Sequence, residues 1–131
     1  MKLPQQGNVA DNFWRSGNVL CDLDIDTGEI RNIVTAQDGK RITHDALPDS
    51  ARQLIGEKLP HWGALKELNE KVALLHSANR YGSTDIALTQ DGPVVVEVNN
   101  GCAFELIQIA KGEGLLTTQM SDFFRDCGAK I

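Results

Sequence analysis

The apolar and polar positions of this chain alternate in two regions and step by threes and fours in another. From Asn18 to Asp26, Val19, Cys21, Leu23 and Ile25 fall on one face, and Leu20, Asp22, Asp24 and Asp26 on the other. That is the pattern of a half-buried strand. Asp26-Thr27-Gly28 has turn chemistry. Residues 29–36 return as a second strand, and Asp38-Gly39 marks a tight turn into a third at residues 40–43. Residues 18–43 therefore predict an antiparallel meander, after a loose polar entry over residues 1–10. Asp49 or Ser50 predicts the cap of a short helix running to Ile55 and ended by Gly56. Over residues 61–79, Trp62, Leu65, Leu68, Val72 and Leu75 form an apolar helical stripe. Lys66 with Glu70, and Glu67 with Lys71, are opposite-charge pairs on its wet side. Residues 103–110 predict a short helix broken by Gly112 and Gly114, and residues 115–127 a last one ended by Gly128.

Between the long helix and the two short ones lie two more strands, Ser83-Thr84-Asp85-Ile86-Ala87-Leu88-Thr89 and Pro93-Val94-Val95-Val96-Glu97-Val98-Asn99. Period two puts Asp85, Ala87 and Thr89 on one face of the first. It puts Val95, Glu97 and Asn99 on one face of the second, leaving Val94, Val96 and Val98 for the core face. A three-residue loop, Gln90-Asp91-Gly92, sets Asp85 opposite Glu97, with Cβ atoms roughly 5 Å apart. Carboxylates that close repel unless a positive charge lies between them. A hard cation such as Mg²⁺, which takes oxygen ligands, answers that need, and Asn99 adds a carbonyl oxygen on the same face.

An Asp followed about a dozen residues later by Glu-x-Asn, on adjacent antiparallel strands, resembles the metal-binding end of an ATP-grasp domain. The wider series is similar to the sugar-transfer-associated ATP-grasp family and to the related alpha-L-glutamate ligase-like proteins. Asp11-Asn12-Phe13, Gly17, Asp24-Ile25-Asp26-Thr27-Gly28, Gly56 and Pro60-His61-Trp62 carry the first half of the resemblance. Asp85-Ile86-Ala87, Asp91-Gly92-Pro93-Val94 and Glu97-Val98-Asn99 carry the second. Ile107-Gln108-Ile109-Ala110 and Gly114-Leu115 belong to the glutamate-ligase side. The likeness spans residues 11–116. Departures are Ser83-Thr84 where family members commonly carry Gly-Trp, Asn18 where a second Gly is usual, and Asn100-Gly101 where ligase-like relatives often carry Arg-Pro.

The resemblance implies an α+β fold, an antiparallel sheet with helices packed on one face, as in the C-terminal lobe of an ATP-grasp enzyme. It implies Mg²⁺ and ATP as cofactors, with Asp85, Glu97 and Asn99 as metal ligands. Asn12 and Arg15 would approach the phosphates, where a planar guanidinium donates in pairs, and Val96 would lie near the adenine. In an intact enzyme of this type, the metal ions neutralise charge as the γ-phosphoryl group moves to a carboxylate, and an amine captures the resulting acylphosphate. The first lobe and the N-terminal substrate domain of such enzymes have no counterpart in the 131 residues. The expectation is one domain, a truncated or stand-alone lobe that is catalytically silent by itself. Measurable ATP-dependent ligation by the purified chain would overturn it. The competing expectations are a homo-oligomer, a complex with a separately encoded first lobe, or a small-ligand binder that keeps the carboxylate site.

Composition narrows this picture. The length suits one small globular domain, and 41% hydrophobic residues supply a core. A net charge of −5 argues against nucleic acid and anionic membranes as partners. No apolar run approaches the roughly 20 residues of a membrane span. Met1-Lys2-Leu3-Pro4-Gln5-Gln6 has no apolar signal core. Three scattered cysteines, Cys21, Cys102 and Cys127, fit reduced thiols in a cytoplasmic protein. No Cys-x-x-Cys or His-x-x-x-His points to structural zinc. Cys102 follows Asn99-Asn100-Gly101, but a nucleophile needs a partner base, and His44, His61 and His76 are all distant in sequence. No catalytic residue is therefore assigned.

Overall fold

The computed structural model describes residues 1–3 and 18–131. Its elements, in chain order, are β1 (Lys2–Leu3), β2 (Val19–Leu23), β3 (Ile30–Gln37), β4 (Lys40–His44), α1 (Trp62–Leu75), β5 (Ser83–Thr89), β6 (Gly92–Asn99), α2 (Phe104–Lys111) and α3 (Thr118–Asp126). The fold is α+β, as the resemblance implies. It holds a four-stranded sheet of order β1-β2-β3-β4 and a two-stranded sheet, β5-β6. The chain divides into two compact units. One comprises Met1–Asp22, Asn32–Gln53 and Phe104–Ile131; the other comprises Leu23–Arg31 and Leu54–Ala103.

In the first unit the expected meander forms. β3 and β4 pair antiparallel through Val34 with Thr43 and Gln37 with Lys40. Asp38 and Gly39 both adopt positive φ, as a tight hairpin turn of that twist requires. Residues 1–3 correct the polar-entry expectation. Lys2 and Leu3 pair with Leu20 and Val19, and the Met1 amine donates to the Cys21 carbonyl at 2.8 Å. Burial lowers the amine pKa from its ordinary value. The core joins Leu20 and Val34 to Ala110 of α2, with Leu106 and Ile109 packed against them. Arg41 donates to the Ile109 carbonyl at 2.6 Å and to the Ala110 carbonyl at 3.3 Å. It thereby caps orphan acceptors at the end of α2. The Thr117 side chain accepts from the Met120 N–H at the start of α3.

No helix forms over residues 49–55. Ala51 has φ 52°, outside the right-handed helical region, and Leu47 and Arg52 close a loop through a backbone bond. A left-handed residue in mid-segment ends any helix there.

In the second unit, α1 packs against β5 and β6. Its stripe holds for Trp62, Leu65, Leu68 and Val72, which are buried or half-buried. Leu75, the last residue of the stripe, is 83% exposed. The helix stops at His76, whose N–H bonds to the Val72 carbonyl, so α1 ends before the predicted limit.

Candidate functional site: the β5–β6 carboxylate pair

The two strands of the second unit differ from the expected hairpin in a way that shapes the site. Thr89 pairs with Gly92, so the loop is the two residues Gln90-Asp91, not three. Gly92 takes φ 118° at the first position of β6, a region open to glycine alone. The Thr89 hydroxyl donates to the Gly92 carbonyl at 2.7 Å and accepts from the Asp91 N–H at 3.2 Å. The register then runs Leu88 with Pro93, Ala87 with Val94 and Ile86 with Val95. A bulge follows, after which Asp85 pairs with Glu97 and Ser83 with Asn99. The expected Asp85–Glu97 pairing is therefore present, reached by a shorter loop plus one extra residue in β6.

That extra residue, Val96, also reassigns the faces. Val95 pairs with Ile86 and is half-buried, while Val94, now opposite Ala87, and Val96 are exposed rather than forming the core face; Val98 keeps its place opposite Thr84, at 37% exposure. A bulge shifts by one residue which side chains face the core, because the side-chain period is two. Val96 is 68% exposed.

Asp85 and Asn99 are half-buried and Glu97 is exposed. Two carboxylates in direct cross-strand register, with Ser83 and Asn99 paired two residues on, make an oxygen-rich end to the hairpin. Among the described residues no three His, Cys, Asp or Glu side chains cluster tightly enough to hold a metal by themselves. The donor set here is two carboxylates and one carboxamide, hard oxygen ligands that suit Mg²⁺ when water or phosphate completes the shell. Asn12 and Arg15 lie outside the described residues.

The strand ends beside the pair are pinned closely. A Cβ on Gly82 would lie 2.8 Å from the Asn99 carbonyl oxygen, so only glycine allows that approach. The Ser83 hydroxyl donates to the Gly101 carbonyl at 3.0 Å. Tyr81, just before this end, has its phenol pushed up to about 12 by burial and by a hydrogen bond to the Cys102 sulfur. Sequence reasoning missed Gly82 and Ser83 as the parts that hold the site's end; the Gly82-Ser83 dipeptide ahead of Asp85 was the available signal. In the first unit, a cavity of about 360 Å³ is lined by Phe104, Leu115, Leu116, Phe124 and Ile131. Its one polar side chain, Gln108, accepts the Leu115 N–H through Oε1, and the other lining side chains are apolar.

The model of the sugar-transfer associated ATP-grasp family matches residues 1–122. The chain belongs to that family. No curated protein and no solved structure matches the chain. Membership of an ATP-grasp family points to ATP-dependent, ligase-type chemistry in the intact protein. The three cysteines are free, and no helix among the described residues is long and apolar enough to cross a membrane.

Proposed function

We propose that the β5–β6 hairpin is the metal-holding side of a nucleotide site, with Asp85, Glu97 and Asn99 as the protein's ligands to Mg²⁺. One observation carries this reading: Asp85 and Glu97 stand in direct register across the strands despite a bulge next to them. Carboxylates directly opposite each other repel and weaken a hairpin, so a cation between them gives the pairing a purpose. When bound, Mg²⁺ would screen the nucleotide phosphates during transfer to a carboxylate. The side chains of this chain then have defined tasks. Asp85 and Glu97 neutralise the ion from two strands, and Asn99 orients it without adding charge. Val96, exposed at the bulge, offers an apolar contact for the base. Asn12 and Arg15 are proposed for the phosphates. The chain supplies one side of the site, and ligation awaits a covering lobe from elsewhere in the protein or from a partner.

Calorimetric titration of Mg²⁺-ATP and Mg²⁺-ADP into the chain tests the reading. Saturable binding that is lost in Asp85→Asn/Glu97→Gln supports it. Equal heats from the wild type and the double variant would overturn it.

A second reading has its own support. Val94 and Val96 are exposed beside the bulge of β6, and Leu74 and Leu75 are exposed at the end of α1. Apolar groups grouped in this way favour burial against another chain, as in a homo-oligomer. Sedimentation of the wild type beside Val94→Lys/Val96→Lys decides it: a mass that falls with the substitutions supports association, and a monomer in both excludes it.

A further inference from the structure

We infer that Asn100-Gly101 is a site of spontaneous deamidation, a covalent change placed directly after the last residue of the proposed metal site. Asn-Gly occurs once in the chain. Asn100 and Gly101 are both exposed and lie past the end of β6, outside any helix or strand. No hydrogen bond of the Gly101 N–H is found among the described residues. The reaction needs that nitrogen free, needs the Asn side chain unencumbered, and goes fastest when the following residue has no side chain to block approach. All three conditions meet here.

The step balances with water as the only co-reactant. The Gly101 amide gives its proton to solvent base, and its nitrogen attacks Cγ of Asn100. A C–N bond forms, the side-chain amide leaves as ammonia with a solvent proton, and a five-membered succinimide remains. Water then opens either carbonyl of the ring. One opening gives Asp at position 100. The other gives isoaspartate, with the main chain routed through the side-chain carbon.

The flanks give the change a local consequence. The Asn99 carbonyl is packed against Gly82, and the Gly101 carbonyl is held by Ser83. The isoaspartyl product lengthens the main chain by one carbon between those two anchors, so one of them must give. Either product adds a carboxylate next to Asn99. The modification itself does not depend on metal binding.

The test is a peptide map of the folded chain after incubation at mildly alkaline and at mildly acidic pH, beside Gly101→Ala. A Cβ at Gly101 meets no atom within 4 Å, and the residue does not have positive φ, so the variant keeps the fold, which circular dichroism verifies. The expected result is conversion of amide to acid at Asn100 as isoaspartate and aspartate, faster at alkaline pH and slowed severalfold in Gly101→Ala. An intact Asn100 after alkaline incubation, or equal rates in the two proteins, would overturn the inference.

Discussion

Trp62 leaves no room for a side chain at Gly28. A Cβ there would stand 2.5 Å from Trp62 Cγ, and Gly28 has φ 74°. Two independent constraints thus demand glycine at this turn, where the Gly28 N–H bonds to the Asp24 carbonyl and its own carbonyl accepts from Leu59. Gly28→Ala must bear a left-handed backbone, about 1–2 kcal/mol, and displace a large half-buried ring. The expected loss in urea unfolding is about 3 kcal/mol, the scale of overpacking added to strain. A loss below about 1 kcal/mol would mean that the indole has somewhere else to go.

The same turn sets an acid dependence. The Asp24 carboxyl is held down to about 2, from an ordinary 3.8. The Thr27 hydroxyl is the largest cause, followed by the Thr27 backbone N–H and Arg31. Asp24 Oδ1 accepts both Thr27 bonds at 2.8 Å, and Arg31 donates to Oδ2 at 2.8 Å. A depressed carboxylate stabilises the fold fully above its unfolded pKa and loses that contribution as pH falls through the folded one. The contribution of Asp24 is therefore lost between about pH 4 and pH 2. Asp24→Asn should flatten the stability profile in that window, and an unchanged profile would contradict the assignment.

Tyr81 acts in the opposite range. It is the single tyrosine of the chain, so its ionisation is read directly from the tyrosinate absorbance. Its pKa is raised from 10 to about 12. A raised phenol favours folding while it is neutral. Its contribution is complete below pH 10 and disappears as pH rises towards 12. Cys102→Ala removes the sulfur but leaves the burial, so the titration should move part of the way back towards 10. A midpoint near 10 in the wild type would show the ring to be solvated.

The legible part of the fold was the part set by local pattern. The turn residues Asp38 and Gly39 and the stripe from Trp62 to Val72 declared their elements, because periodicity and φ requirements act within a few residues. The Asp85–Glu97 pairing was also readable, though for an incomplete reason. A three-residue loop and a two-residue loop with a bulge bring the same two carboxylates together, and only backbone geometry separates them. The difference fell on Val94, Val95 and Val96, three identical side chains whose order carries no information about facing. Ala51 at φ 52° was invisible as well, since nothing in alanine announces a left-handed backbone. The pairing of Lys2 and Leu3 with β2 depends on contacts about twenty residues away, beyond any local signal.

The carboxylate pair makes a prediction about its own cost. With no metal present, Glu97→Gln removes a like charge directly opposite Asp85. It should leave stability unchanged or raise it by about 0.5 kcal/mol. Added Mg²⁺ with nucleotide should stabilise the wild type and leave the variant where it was. A clear destabilisation of Glu97→Gln in metal-free buffer would mean that Glu97 has a structural partner instead.

The most direct test uses Mn²⁺ as a paramagnetic stand-in for Mg²⁺, followed by nuclear magnetic resonance of the backbone amides with ADP present. The account predicts line broadening centred on Asp85, Glu97 and Asn99, and its loss in Asp85→Asn/Glu97→Gln. Broadening centred elsewhere, or equal broadening in the double variant, would contradict the assignment of this hairpin as the metal-holding side of the site.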